Sequence, residues 1–261
     1  MRPYFLQPNK VLPFLSFKKQ EWPKEITREY YLSFEDALWD LLPRLGYKKG
    51  AKFLVPDFYC VDVINNIIDH GYNVSYYKLN EDLSINEDTL IVSIASERPD
   101  IFVDFKIAGI ATNLPERILK KLPFYTLVIT DKVHSLVGSA VDNYPVSDKH
   151  LILTSNRKVS PFPGSMAIYT RNARVSSSHL PIWYVLTAFV FWMKYLFVLK
   201  IASLFGIVKL AVYAEKLLKI HDDLIGDAKT SSPLSRIWFS LFDRINITKI
   251  EAKKLQDYQA Y

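Results

Sequence analysis

The chain has 261 residues, of which 49% are hydrophobic and 23% are charged, a composition that is ordinary for a folded globular protein with a sizeable core. A net charge of +6 fits a basic solvated surface, a phosphorylated substrate or an anionic membrane, but it is too diffuse to indicate nucleic acid. A single cysteine, Cys60, excludes an internal disulfide and favours a reducing compartment.

The first part of the chain reads as a lead-in followed by a helix and a strand. Residues 1–30 are irregular and rich in proline and aromatic residues, and they lack the apolar run of a secretory signal, so a cytoplasmic location is expected. Ser33 and Asp36 resemble a capping box ahead of apolar residues at helical spacing, and Gly46 ends this helix. The run AKFLVP predicts a short buried strand that Pro56 stops.

Strand and helix patterns then alternate. Cys60 to His70 is predicted to be helical, with Val61, Ile64, Ile67 and Ile68 on one face. LPERILKKL predicts a second, short helix. The strand candidates, in chain order, are NVSYYKL, LIVSIA, a weaker KIAGIA, YTLVIT, HLILTS and MAIYT. Such alternation predicts an α/β fold with a mostly parallel, doubly wound sheet.

The segment from His179 to Lys219 is apolar nearly throughout, and DAKTSSPLS after it reads as a linker. If the segment is one helix, its lysines fall within one half of the helical wheel, although Gly206 is a candidate break. Three interpretations stay open: buried or dimer-interface helices, an amphipathic helix on a membrane surface through residues 180–219, and a membrane span.

Polar residues follow two of the predicted strands. Asp131 and His134 come after YTLVIT, and Ser155 and Lys158 come at the end of HLILTS. In open parallel sheets, ligands gather at the carboxyl ends of the strands. A lysine amine can hold pyridoxal 5'-phosphate (PLP) as a Schiff base, and a carboxylate can pair with the protonated pyridine nitrogen. Each residue also has an ordinary structural reading, as a turn cap, a core histidine or a solvated charge.

These segments resemble the DegT/DnrJ/EryC1/StrS family of PLP-dependent sugar aminotransferases, over roughly residues 33–170. TDKVHSLVG keeps the family's Asp131, His134, Ser135 and Gly138 but has lysine and valine where two alanines are usual. SNRK is followed by PFPGSMA, with Ser165 where the family has a second glycine.

The resemblance implies a fold-type-I large domain and a set of site residues. Lys158 would carry the cofactor and transfer protons, and Asp131 would bind the pyridine nitrogen. His134 would lie beside the ring or its phenolic oxygen, and Ser155 would contact the phosphate. Cys60 falls where many relatives place a stacking aromatic residue, although small-residue packing is the simpler interpretation of this cysteine.

Two further positions bear on the cofactor. Tyr59 and Phe58 are the alternative stacking candidates next to Cys60. The family's Gly-Thr/Ser pair, which holds the phosphate at the first helix, is replaced by Phe34 and Glu35, and a glutamate there would repel a phosphate. Ser33 could take over phosphate binding after a shift of one residue.

The resemblance implies transfer of an amino group from an amino-acid donor to a nucleotide-linked keto sugar, in a homodimer that does not bind nucleic acid. The expected organisation is a lead-in over 1–30, a PLP-binding domain over 31–175 and a helical region over 176–261 that lacks most of the small C-terminal domain. A non-catalytic relative that acts as a binding or membrane-associated scaffold is the alternative. The five histidines show no metal-ligand spacing.

Overall fold

The computed structural model describes residues 23–106, 114, 116–133, 147–155, 164–170, 178–225 and 232–235. Seven strands form one sheet in the order β1-β7-β6-β5-β4-β2-β3. The strands are β1 Ile26–Tyr31, β2 Lys52–Pro56, β3 Asn73–Tyr77, β4 Ile101–Phe105, β5 Leu127–Asp131, β6 His150–Ser155 and β7 Ser165–Thr170. The helices are α1 Phe34–Arg44, α2 Val61–Asp69, α3 Glu87–Glu97, α4 Glu116–Leu119, α5 Ile182–Phe205 and α6 Val208–Leu224.

The five strands from β2 to β6 run parallel to one another. Only β7 runs against its neighbours, because it pairs antiparallel with both β6 and β1. Parallel strands need crossover connections, and helices lie between β2 and β3, between β3 and β4, and between β4 and β5. The predicted α/β fold with a mostly parallel sheet is therefore confirmed, as is the apolar helical region that follows it.

Helices cover both faces of the sheet, so its central strands are buried on both sides. On one face, Leu127 and Ile129 of β5 pack with residues of α1 and α2. On the other face, Val128 packs with α3 and α4, and Ile152 of β6 packs with the first turns of α5. The alternation of side chains along β5 thus joins two separate hydrophobic cores through one strand.

The predicted capping box at the start of α1 is confirmed. The Ser33 Oγ accepts a hydrogen bond from the backbone N–H of Asp36 at 3.0 Å and donates one to Asp36 Oδ2 at 2.9 Å. Asp36 is fully buried, so the cap satisfies a carboxylate as well as a free helix N–H. Gly46 follows the helix with a φ of +91°, a conformation that glycine adopts without strain.

One predicted strand is a helix. LIVSIA lies in α3, where the Asn86 side chain accepts a hydrogen bond from the Thr89 N–H at 3.1 Å and caps the first turn. Leu90 and Ile94 are the buried residues of this helix, at a spacing of four. The strand is Ile101–Phe105 instead, and the prediction missed it. A short apolar run has the same local pattern in a buried strand and in a short helix, so only packing distinguishes them.

Two smaller predictions are also wrong. The lead-in is not irregular to residue 30, because Ile26–Tyr31 forms an edge strand that pairs with β7. In α2, Val61 and Ile68 are exposed, whereas Val63 is buried with Ile64 and Ile67. The helix is only nine residues long, and the sheet decides which part of its apolar surface is covered.

The apolar C-terminal segment folds as a pair of helices, α5 and α6, that pack against each other. Gly206, with a φ of +66°, separates them, which confirms the suspected break. Val185 and Ala188 join α5 to the core under β6 and β7, and the Tyr184 hydroxyl donates to the backbone oxygen of Leu224. Within the described residues, α5 is the one helix whose length and composition would suffice to cross a membrane, and 28% of its most apolar window is buried.

Candidate functional site

The carboxyl ends of β5 and β6 lie side by side, as the sequence pattern predicted. Asp131 is the last residue of β5 and pairs in register with Leu153, two residues before Ser155 at the end of β6. Asp131 is 3% exposed and Ser155 is 8% exposed. The structure therefore brings these two predicted site residues to the same buried edge of the sheet.

The carboxylate of Asp131 is held by two donors. The Tyr59 hydroxyl donates to Oδ2 at 2.7 Å, and the backbone N–H of Val133 donates to Oδ1 at 2.9 Å. Tyr59 lies in the loop after β2, where its ring packs edge-on against Phe105 at a centroid distance of 5.0 Å. Burial, and then the negative charge of Asp131, raise the pKa of Tyr59, so the phenol stays a neutral donor.

Tyr59 was expected only as one of two stacking candidates, and its contact with Asp131 was not predicted. The two residues are 72 positions apart, and no local spacing indicates the pair. Phe58, the other candidate, is largely exposed. Of the two, the structure therefore places Tyr59 at the site and leaves Phe58 on the surface.

Cys60 stands directly before α2, and its side chain is exposed and makes no capping hydrogen bond. The interpretation of Cys60 as a small packing residue is therefore wrong. Loop geometry explains this, because the chain turns Tyr59 inward and the next side chain outward.

The first turn of α1 carries acidic groups where the family resemblance would place a phosphate. Ser33 is occupied by the capping box, Phe34 is buried, and Glu35 and Asp36 are both in the first turn. The charge of Glu35 contributes to the raised pKa of Tyr59, so this turn lies near the Asp131 site. Carboxylates at a helix N-terminus already satisfy its positive end and repel a further anion.

A second polar cluster lies on the opposite face of the same strands, and sequence patterns did not predict it. Lys106 Nζ lies 2.7 Å from the nearer oxygen of Asp104, and both side chains are buried. Thr130 Oγ1 makes a hydrogen bond of 2.8 Å with His150 Nε2. Burial, and then the nearby charges of Lys106 and Lys132, lower the pKa of His150 to about 4.

Two of the predicted site residues, Lys158 and His134, lie outside the described residues, as do the neighbouring Asn156 and Arg157. Ser165, at the position of the family's second glycine, is fully buried, and its hydroxyl donates to the backbone oxygen of Thr154. That contact ties the start of β7 to the end of β6, next to Ser155.

The described residues fit PLP in one part and not in another. Asp131 fits the pyridine nitrogen, because it is a buried carboxylate of fixed orientation at the end of a parallel strand. The N-terminus of α1 does not fit a phosphate, because Ser33, Glu35 and Asp36 occupy it. A phosphate in this site would need another partner, and Ser155 is the nearest candidate on the same edge.

No family model matches the chain, and no curated protein matches it. Among solved structures, the chain is similar to a DegT DnrJ EryC1 StrS aminotransferase from Brucella abortus, with 18% identity, 56% of this chain and 42% of that chain covered, and a TM-score of 0.44. It is also similar to the histidinol-phosphate aminotransferase from Clostridium acetobutylicum, with 15% identity, 57% and 46% covered, and a TM-score of 0.40.

A third similar structure is the histidinol-phosphate aminotransferase from Sinorhizobium meliloti in complex with pyridoxal-5'-phosphate, with 13% identity, 56% and 42% covered, and a TM-score of 0.41. The chain thus spans less than half the length of the three solved structures. Each overlay is partial and its TM-score lies below 0.5, so the chemistry of this chain has to be derived from its own residues.

Proposed function

We propose that this chain is a fold-type-I, PLP-binding domain of the sugar aminotransferase type. The observation that carries the proposal is Asp131, a buried carboxylate held by the Tyr59 hydroxyl and the Val133 N–H at the carboxyl end of β5. A carboxylate in this setting keeps a pyridine nitrogen protonated. Bound PLP then supplies an electron sink for the transfer of an amino group.

In this proposal each residue of the edge has one task. Asp131 accepts a hydrogen bond from the pyridine nitrogen, and Tyr59 keeps the carboxylate in place. Ser155 donates its hydroxyl to the phosphate. Lys158, three residues further along the chain, holds the cofactor through its amine and moves a proton during amino transfer. His134 lies beside the cofactor ring.

The acidic first turn of α1 sets an expectation for affinity. Glu35 and Asp36 lie where a phosphate would meet a helix N-terminus, so the cofactor loses that source of binding. We therefore expect PLP to bind more weakly than it would with free N–H groups at this turn. Cofactor binding is also expected to survive better than catalysis in this chain.

The proposed substrates are an amino-acid donor and a nucleotide-linked keto sugar, and the proposed assembly is a homodimer in the cytoplasm. The basic net charge of +6 favours a substrate that carries phosphate groups. A non-catalytic relative with the same fold is the competing candidate, and the replacement of the phosphate-binding pair by Phe34 and Glu35 favours it. Cofactor spectra distinguish the two.

The first experiment measures the absorbance of the purified chain before and after addition of PLP. Borohydride reduction and peptide mapping then locate the modified lysine. We expect a yellow, reducible species and a single modified peptide that contains Lys158. Lys158→Ala should abolish labelling, whereas Lys78→Ala, at an exposed lysine on another part of the surface, should not. Labelling of another lysine, or no stable adduct at all, would reject the proposed site.

The second experiment tests Asp131. Asp131→Asn keeps the size of the side chain but removes its charge, so the pyridine nitrogen would no longer be held protonated. We expect the variant to bind PLP and to lose most of its amino-transfer rate in single half-reactions. Asp69→Asn, at an exposed residue of α2, is the matched control. Unchanged half-reaction rates in Asp131→Asn would rule out this role.

A further inference from the structure

The loop between α5 and α6 presents an apolar tip to solvent. Leu204, Phe205, Ile207 and Val208 surround Gly206 there, and all four are exposed, with Phe205 at 72% and Val208 at 75%. Contiguous apolar surface of this kind on a soluble chain marks a site of interaction with a partner or a membrane. We name these four residues the hairpin tip.

The hairpin tip lies far from the place where the hairpin joins the sheet. Of the described residues of α5, only Tyr184, Val185 and Ala188 pack with the core cluster under the sheet. From Phe189 to Phe205 the helix is roughly 25 Å long at 1.5 Å per residue, and its main packing partner among the described elements is α6. The tip is thus carried away from the sheet on a two-helix arm.

Charge is distributed unevenly along this arm. The tip half has three lysines, Lys194, Lys200 and Lys209, and residues 180–214 contain no aspartate or glutamate. Acidic residues begin at Glu215 and continue at Asp222 and Asp223, toward the sheet end of α6. The arm is therefore apolar and basic at its tip and partly acidic at its base.

We propose that the hairpin tip inserts into the interface of a lipid bilayer that carries anionic headgroups. Exposed aliphatic and aromatic side chains enter the boundary between headgroups and acyl chains, while lysines next to them contact the anionic headgroups through long, flexible stems. Lys200 and Lys209 flank the tip in the two helices, so both could reach the headgroups when the tip is inserted. This inference does not depend on PLP binding or on the Asp131 site.

Two other occupants fit the charge pattern less well. A second copy of the chain, docked tip to tip by two-fold symmetry, would place lysines of the same sign opposite one another, with no acidic residue in the tip half to pair with them. A membrane span by α5 would pull Val185 and Ala188 out of the core in which they are buried. Insertion of the tip alone leaves both the core and the helix pair intact.

The test is flotation of the full chain with vesicles of phosphatidylcholine alone and with vesicles that also contain phosphatidylserine. We expect binding to the anionic vesicles, weaker binding to the neutral ones, and a loss of affinity as salt is raised. Lys200→Gln and Lys209→Gln should each reduce the affinity by about fivefold, because each lysine near an anionic surface contributes an attraction of about that size.

A matched pair of variants locates the contact. Phe205→Glu combined with Val208→Glu places two charges in the tip and should abolish flotation. Val92→Glu, at an exposed valine on α3, makes the same kind of change elsewhere and should leave flotation unaltered. Because all three positions are exposed, circular dichroism and thermal melting should show that the variants remain folded.

A direct readout comes from Phe205→Trp. Its added emission should shift to shorter wavelength with anionic vesicles, and that of Phe124→Trp, at a highly exposed residue far from the arm in sequence, should not. Absence of flotation in the wild-type chain would overturn the proposal, as would flotation that the tip charges do not affect. A wild-type dimer that the tip charges convert to monomer, without any vesicle binding, would assign the tip to a second copy instead.

Discussion

The hydrogen bond from Tyr59 to Asp131 joins the loop after β2 to the end of β5, although these residues lie 72 positions apart in the chain. A buried carboxylate needs donors to replace the water it has lost, and here a phenol and a backbone N–H supply them. The same pair fixes the orientation of the group that the proposed function requires.

Removal of this donor should destabilise the fold. In Tyr59→Phe the Asp131 carboxylate keeps only the Val133 N–H of its two donors described here, so we expect the free energy of unfolding to fall by about 1–3 kcal/mol. Urea denaturation measures the change. Tyr76→Phe removes a hydroxyl from a half-exposed tyrosine and should have an effect of less than about 0.5 kcal/mol. Equal effects of both substitutions would show that the Tyr59 hydroxyl is not a stabilising partner of Asp131.

His150 gives the fold a predictable response to acid. Its pKa is about 4 in the folded chain and 6.5 in an unfolded one, so between these values the unfolded chain binds more protons. Stability is therefore present above pH 6.5 and is lost as the pH falls toward 4, by up to about 3 kcal/mol.

His150→Gln should remove this contribution while it keeps a side chain that can hydrogen-bond to Thr130. Urea denaturation at neutral pH and near pH 4.5 gives the acid-induced loss for each protein. We expect the wild-type chain to lose more stability than the variant over this interval. An equal loss in both would mean that carboxylates, and not His150, control the acid response.

At the scale of whole elements, one ion network connects β1, α1 and β7. Arg44 of α1 forms ion pairs with Glu29 of β1 and with Asp40, the latter at 2.6 Å. The hydroxyls of Tyr31 and Tyr169 both donate to Glu29, at 2.9 and 2.7 Å. Burial raises the pKa of Asp40 although Arg44 opposes the shift, which shows how far the network is removed from water.

Arg44→Leu should be strongly destabilising, because it leaves two buried carboxylates without their cation. We expect the free energy of unfolding to fall by about 3–5 kcal/mol, measured by urea denaturation. Arg117→Leu is the matched control: that arginine is half-exposed and pairs with Glu87 and Asp88 at the surface, so its loss should change stability by less than about 1 kcal/mol. Similar losses in the two variants would contradict a special role for the buried network.

At the scale of the whole molecule, the sheet and the two-helix arm differ in how they are buried. Every residue of β4 and β5 is buried, and helices pack on both faces of these strands. The arm has a single buried stripe along α5, and exposed apolar residues line the rest of it. The two parts should therefore open with different free energies.

Hydrogen–deuterium exchange should resolve this difference. Peptides from β4 and β5 should exchange slowest, by opening of the whole domain, and peptides from Val198 to Val208 should exchange faster through local opening. Addition of anionic vesicles should slow exchange in the arm alone if the tip inserts. Uniform exchange across sheet and arm would show that the two form one cooperative unit.

The sequence alone determined the features that depend on neighbours along the chain. The capping box at Ser33, the break at Gly206 and the strands that end in Asp131 and Ser155 follow from local pattern, because caps, turns and strand ends are short-range features. The α/β class also followed, since alternating strands and helices have few ways to pack.

Only the tertiary structure decided what depends on distant partners. LIVSIA became a helix and Ile101–Phe105 a strand because the sheet had room for one and the helical layer for the other. The inward turn of Tyr59, the exposure of Cys60 and the pairing of Arg44 with Glu29 likewise depend on residues brought together by folding. Burial on the second face of the sheet lowers the pKa of His150, and no spacing in the sequence records that environment.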